Sequence, residues 1–416
     1  MKKFVTPSKI KGQIIAPASK SMVQRAFAAA LLAEEPAKIL NVTFSNDAKA
    51  ALGIIRALGA GVTVQGREVQ IQGGMKPTGE TLDCGESGLS MRMFSAVAAL
   101  CHREITLSGE GSLAVRPVSM IEKPLKELGV SVTTARGCPP LTVKGPMQGG
   151  ETEVDGSVSS QFLTGLLLAL PAAPRDSFLR VKNLKSTPYI DMTLTLLRDC
   201  GIDVQNNDYK IFQIKGKQVY KVGEYRVEGD WSGASFPLVA GAIGGSVVVS
   251  GLDISSPQAD RRIIDALQAA GAGVVMSGDT VEIKESKLKA FDFDATDCPD
   301  LFPPLVALAC NCQGTTTIKG VERLRFKESD RAAVLEKEFS ALGARIKIDG
   351  DLMNIRGTTL RGGVIDSHND HRIAMAGALA AIAAAGEVRI DGSECVAKSY
   401  PDFFADFRCI GGMVHE

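Results

Sequence analysis

Four cations in this sequence stand where helices are expected to begin: Lys20, Arg25, Arg331 and Arg372. A helix N-terminus is the positive end of its dipole, so the backbone there opposes an arginine or lysine. A bound anion reverses that penalty, because free N–H groups and side-chain charge then act on it together. The densest such stretch is FKESDR, residues 326–331. It places Lys327, Glu328, Ser329, Asp330 and Arg331 ahead of an apolar helical pattern of Ala332, Ala333, Val334, Leu335, Phe339 and Leu342. A single charge run of this kind reads as a solvated first turn. Its recurrence at several helix starts is a repeated break of a local rule, and such breaks mark functional sites. The chemistry these residue types support is the binding of a multiply charged anion.

The elements that position these cations recur along the chain. Six runs, beginning at Pro17, Cys84, Asp155, Glu228, Asp297 and Ser367, each have a first turn rich in Ser, Asp, Asn or Gly and continue apolar nearly all round. The polar openings suit helix caps, and helices apolar on every face are buried. Ser21 follows Lys20 in the first run. Ser159, Ser160 and Gln161 open the third, Asp300 the fifth, and His371 stands beside Arg372 in the sixth. Arg116, Ser186, Tyr189 and Lys398 lie in polar turns ahead of other helices. Between the runs a helix end, a glycine and an alternating strand recur at Gly59, Gly129, Gly201, Gly271, Gly343 and Gly411, about 70 residues apart. Glycine just past a helix end supplies a positive φ, and the broken alternation predicts a β-hairpin. The repeating unit is therefore βαβαββ, in an α/β chain grouped three plus three with a boundary at 227–229. The first strand, residues 10–16, could join either half. The sixth copy is degenerate and runs off the chain's end. Six buried helix starts facing one cleft would line it with N–H groups.

Composition narrows the partners. The 416 residues carry 47 Lys plus Arg against 47 Asp plus Glu, and only 5% aromatics. A nucleic-acid or membrane-surface binder would show a basic excess, so neither partner is expected. Any anion site must be a local gathering of cations. The nine cysteines form no CxxC pair, which fits neither a disulfide framework nor a zinc site. No metal or other cofactor is expected, and reduced thiols suit a cytoplasmic protein. The first residues lack the apolar core of a signal peptide, and the apolar runs at 163–170 and 373–385 are too short or interrupted to span a bilayer.

Nine phrases, in order, carry a resemblance to the 5-enolpyruvylshikimate-3-phosphate synthase family of enolpyruvyl transferases. They are SKSMVQRA from Ser19, SGLSMR from Ser87, VRP from Val115, GSVSSQFLTGLL from Gly156, STPYIDMT from Ser186, PDLFPPL from Pro299, RFKESDRA from Arg325, NDHRIAMA from Asn369 and AKSYPDFF from Ala397. The resemblance implies a two-domain inside-out α/β barrel with three βαβαββ units per domain. One domain would take residues 1–17 plus 229–416 and the other 18–228, closing on the substrates. It implies transfer of the enolpyruvyl group of phosphoenolpyruvate to shikimate 3-phosphate by a monomeric enzyme. Lys20, Ser21, Arg25, Ser159, Ser160, Gln161, Ser186, Tyr189, Asp300 and Lys327 resemble the family's shikimate 3-phosphate contacts. Lys20, Gly88, Arg116, Gln161, Arg331, Arg372 and Lys398 resemble its phosphoenolpyruvate contacts. For the addition and elimination steps, Asp300 is assigned to the attacking hydroxyl and Glu328 to the C3 proton. Lys20 is a rival or partner for that proton, His371 orients its neighbours or phosphate, and Asp330 is a first-turn anion pairing with a nearby cation.

Two features refine the resemblance. Many family members read Asn-Ala-Gly-Thr-Ala-Met-Arg where this chain reads Glu86-Ser87-Gly88-Leu89-Ser90-Met91-Arg92. A carboxylate there must turn away from a bound phosphate, pair with a cation or be protonated. The sister enzymes that act on UDP-N-acetylglucosamine carry a reactive cysteine in the loop corresponding to 109–120, and here that loop has none. A non-catalytic anion binder on the same scaffold would have lost Asp300, Glu328 or Lys398, and all three are present.

Overall fold

The computed structural model describes residues 1–325 and 327–416. The chain forms two compact units, one of Met1–Ser19 with Glu228–Glu416 and one of Lys20–Val227. Each is α/β and holds three four-stranded sheets of one pattern. In the Lys20–Val227 unit, Thr81–Asp83 runs parallel to Glu104–Ser108, which pairs antiparallel with Cys138–Lys144, itself antiparallel to Ser131–Ala135. A parallel pair needs a crossover and an antiparallel pair only a turn. The apolar helix Gly88–Ala98 supplies that crossover. Glu151–Asp155, Ser177–Lys182, Ile211–Ile214 and Val204–Asn207 repeat the arrangement. The repeat glycines all have positive φ, from 76° at Gly201 to 110° at Gly59.

The sheets resolve what the repeat left open. Ile10–Ile15 pairs parallel with Gly245–Ser250, so it belongs with the C-terminal repeats. The first N-terminal repeat takes its parallel partner from the other end of its unit, where Glu224–Arg226 pairs with Ala37–Leu40. The sixth repeat is completed by the start of the chain. Lys2–Thr6 lies between Val388–Asp391 and Met413–His415, antiparallel to both. The apparent degeneracy at the C-terminus is thus a strand supplied from elsewhere in the sequence.

Lys20–Leu32, Gly88–Ala98 and Gln161–Ala169 are the buried helices of one unit; Trp231–Gly244, Phe302–Cys310 and His371–Ile382 are those of the other. In the latter unit all three pack on one another, and in the former the second packs on both others. A helix buried on every face has only its ends for polar chemistry, so the polar residues of these segments collect at the starts. Among the described residues no helix is long and apolar enough to cross a membrane.

Candidate active site

In the unit containing the C-terminal repeats, one arginine organises the charged residues. Arg331 is the first residue of the helix Arg331–Ala341 and is 0% exposed. It donates from Nε to Asp370 Oδ2 at 2.9 Å, from Nη1 to Asp300 Oδ1 at 2.7 Å and from Nη2 to Glu328 Oε2 at 2.6 Å. Burial alone would ease its proton off, but Asp370, Glu328 and Asp300 outweigh burial and hold it more firmly charged than usual. Asp370 caps the helix His371–Ile382, accepting from Arg372 N at 3.0 Å, and also takes the Ser329 hydroxyl at 3.1 Å.

Asp300 lies in the 3-10 turn Pro299–Leu301 that leads into Phe302–Cys310. Besides Arg331 it accepts from Lys327 Nζ at 3.3 Å and Arg372 Nη2 at 3.1 Å. Burial pushes its carboxyl up, yet the charges of Arg372, Lys327 and Arg331 win and hold it well below the usual carboxylate range. Burial lowers the Lys327 ammonium in spite of Asp300. Lys398 Nζ donates to the Asn369 carbonyl at 2.6 Å, beside the same helix start, and His371 is 1% exposed with Nδ1 3.9 Å from Asp370 Oδ1. Asp330 caps its helix through Ala333 N at 3.4 Å, which replaces the expected pairing with a cation. Phe326, the first residue of the FKESDR phrase, lies outside the described residues.

In the Lys20–Val227 unit Arg25 is surrounded by neutral oxygens. Arg25 is 1% exposed and donates to Thr193 Oγ1 at 2.9 Å, the Ser21 carbonyl at 2.9 Å, the Tyr189 carbonyl at 3.1 Å and Thr164 Oγ1 at 3.3 Å. Burial pulls its guanidinium down to about 10. Lys20 pairs with Asp47 Oδ2 at 3.0 Å. Ser159 Oγ accepts from Gln161 N at 3.2 Å, and Gln161 Oε1 accepts from Arg92 Nη1 at 2.8 Å. Ser160 is buried at the same helix start, and Ser186, in the left-handed region at φ 59°, precedes the helix carrying Tyr189. Gly88 opens its helix with no side chain where a Cβ would stand 3.0 Å from Arg92 Nη1 and 3.1 Å from Arg116 Nη1. The glycine lets two guanidinium groups lie against the helix start, beside its N–H groups.

Residues 5–407 match the family described as EPSP synthase (3-phosphoshikimate 1-carboxyvinyltransferase). The chain belongs to this family. It is 40% identical to a 3-phosphoshikimate 1-carboxyvinyltransferase of Clostridium novyi over 99% of this chain and 98% of that one. A relative of the same name from Methanocorpusculum labreanum is 37% identical, with both chains fully covered. Among solved structures, an EPSP synthase of Acinetobacter baumannii superposes with a TM-score of 0.84 at 28% identity, covering all of both chains. The enolpyruvyl transferase NikO of Streptomyces tendae, at 19% identity and a TM-score of 0.81, shares the fold.

Against the EPSP synthase expectation, the described geometry gathers Asp300, Lys327, Glu328, Arg331 and Arg372 into one network in one unit. It links Arg25 with Ser21 and Tyr189, and Gly88 with Arg116, in the other. The sequence reading did not single out three further charged residues, each within one of these units. Arg92 also donates to the Pro117 carbonyl at 3.0 Å. Its signal was legible, because it is an arginine in an early turn of a buried helix, like Arg25. Asp370 looks in sequence like any cap, and nothing there announces Arg331 as its partner. Asp260 belongs to no quoted phrase. It is 4% exposed in the turn Ala259–Arg262, and its Oδ1 has no hydrogen-bond partner among the described residues. Burial and the neighbouring Asp300 raise its carboxyl to about 7 against the pull of Arg372.

Proposed function

We propose that this chain transfers the enolpyruvyl (1-carboxyvinyl) group of phosphoenolpyruvate to the 5-hydroxyl of shikimate 3-phosphate. The products are 5-enolpyruvylshikimate 3-phosphate and phosphate, on the route to chorismate and the aromatic amino acids. The observation that carries this reading is the match along 99% of the chain to a relative named for that activity. The site chemistry supports it, since both substrates carry a phosphate and a carboxylate. Charge-assisted hydrogen bonds worth about 1.5–3 kcal/mol each call for several buried cations. Arg25, Lys20, Lys327, Arg116, Arg331, Arg372 and Lys398 meet that need, with Ser21, Ser159, Ser160, Gln161, Ser186 and Tyr189 as neutral partners. The working form is a cytoplasmic monomer that needs no metal.

The reaction is an addition followed by an elimination. The 5-hydroxyl attacks C2 of the enol as C3 is protonated, and phosphate then leaves as C3 gives up its proton. Asp300 takes the hydroxyl proton. With Lys327, Arg331 and Arg372 around it, it is a weak base in the free protein. Anionic substrates on those cations spread the positive charge and raise its basicity, so the base strengthens when the substrates are in place. Glu328 serves C3, with Lys20 a rival or partner for that proton, and buried His371 orients Asp370 and the helix start. A coupled phosphate-release assay tests the reading. Phosphate is expected with shikimate 3-phosphate plus phosphoenolpyruvate and not with UDP-N-acetylglucosamine in place of the former. No release with the first pair overturns it.

A further inference from the structure

The carboxylate of Glu86, which replaces the asparagine of many relatives, reaches the loop that leads to Arg116. Glu86 Oε2 accepts from Ser112 N at 3.2 Å, with Ser112 Oγ at 3.5 Å. Ser112 lies in the 3-10 turn Gly111–Val115, and the residue after that turn is Arg116. A second bond ties the same two segments, from Glu110 N to the Gly85 carbonyl at 2.9 Å. Gly111 completes the fit. Its φ is 53°, and a Cβ there would run into the Glu86 carboxylate. Beyond Arg116 the loop is held by Arg92 Nη2 on the Pro117 carbonyl at 3.0 Å and by Val118 N on the Gly137 carbonyl at 2.7 Å. Arg116 thus sits between two tethers, and Glu86 is the side chain of the first.

We propose that Glu86 is a positioning residue that holds the Arg116 loop against the Gly88 helix start, setting the affinity for phosphoenolpyruvate. This rests on the function proposed above. The carboxylate stabilises the first N–H groups of the turn, as an acceptor does at any helix start, and fixes where Arg116 begins. Its Oε2 is engaged by the backbone of that turn. An oriented guanidinium loses less freedom on binding, which is where preorganisation gains affinity. Arg25 bonds to none of this loop, and Gln161, assigned to both substrates, is bonded to Arg92, which in turn bonds the loop's Pro117 carbonyl, so the larger effect falls on phosphoenolpyruvate.

The test compares Glu86→Gln with Glu86→Ala in the phosphate-release assay, with Gly111→Ala as an independent way to push the carboxylate off the turn. Glutamine keeps a side-chain oxygen for Ser112 N, so its KM for phosphoenolpyruvate is expected within about threefold of the parent. Glu86→Ala and Gly111→Ala are expected to raise that KM about tenfold or more, with at most a smaller rise in the KM for shikimate 3-phosphate, which also shows the variants are folded. An unchanged phosphoenolpyruvate KM in Glu86→Ala overturns the proposal. So does an equal rise in both KM values, or a glutamine variant as impaired as the alanine one. An inactive parent would instead remove the functional reading itself.

Discussion

Arg331 and Arg25 are both almost wholly buried, and their surroundings differ in kind. Arg331 is ringed by Asp300, Glu328 and Asp370, and its charge is balanced before any ligand arrives. Arg25 meets only hydroxyl and carbonyl oxygens in its hydrogen bonds, and burial works against its charge. A buried charge without a counter-charge is costly. The fold meets that cost at Arg25 with four oriented oxygens, and under the proposed function an anionic substrate would relieve it. The C-terminal unit thus holds an arginine balanced by carboxylates, and the N-terminal unit holds one whose hydrogen bonds reach only neutral oxygens, with Lys20 paired with Asp47.

Substituting the two arginines separates these roles. Arg331→Met leaves three carboxylates facing each other with one cation fewer, and removing one partner of a buried pair costs about 3–5 kcal/mol. A correspondingly lowered denaturation midpoint is expected. Arg25→Met leaves Thr164 and Thr193 still bonded to each other at 3.2 Å and Thr193 to the Tyr189 carbonyl. Its stability is expected within about 1 kcal/mol of the parent, as for replacement of buried charge by apolar volume. Equal losses in the two variants would erase the contrast.

Asp300→Asn sharpens the comparison from the other side. Turnover is expected to fall about a thousandfold, within the range for a lost general base. Inorganic phosphate should bind more tightly in calorimetry, because Lys327, Arg331 and Arg372 are released from their shared carboxylate. Unchanged phosphate affinity would mean those cations were already available. Asp260→Asn gives the smaller effect. An aspartate whose folded pKa is raised to about 7 costs stability as pH climbs from its unfolded value near 4 to 7. The asparagine variant should match the parent near pH 4 and exceed it by about 4 kcal/mol at pH 8, read from denaturant melts. A constant difference across that span would contradict the buried-acid account.

The six-fold repeat was legible because buried helices and hairpin glycines leave strong local patterns. The phrase order carried the family. Strand exchange was not legible: Ile10–Ile15, Glu224–Arg226 and Lys2–Thr6 read as ordinary strands, and only pairing across the chain decides their sheets. At the site, cations at helix starts broke a rule and could be found. Arg92 broke the same rule and lay inside a quoted phrase. Carboxylates that obey the rules gave no warning. Asp370 is a normal cap by type, and Asp260 acquires its neighbours only when the turn Ala259–Arg262 is fastened to the start of the preceding helix Trp231–Gly244, through Gln258, which accepts from Trp231 N at 3.0 Å and donates to the Gly229 carbonyl at 2.8 Å. Asp330 was read as a first-turn anion pairing with a neighbouring cation, and it does stand at the helix start, as the cap, because the helix begins one residue later.

The most direct measurement is a calorimetric titration of shikimate 3-phosphate alone into the parent and the Arg25→Met variant. Loss of one or two charge-assisted bonds at about 1.5–3 kcal/mol each predicts binding weakened at least tenfold in a protein whose melting is nearly unchanged. Binding undiminished in Arg25→Met, or lost only together with its stability, would contradict the claim that this arginine is held uncompensated for the ligand.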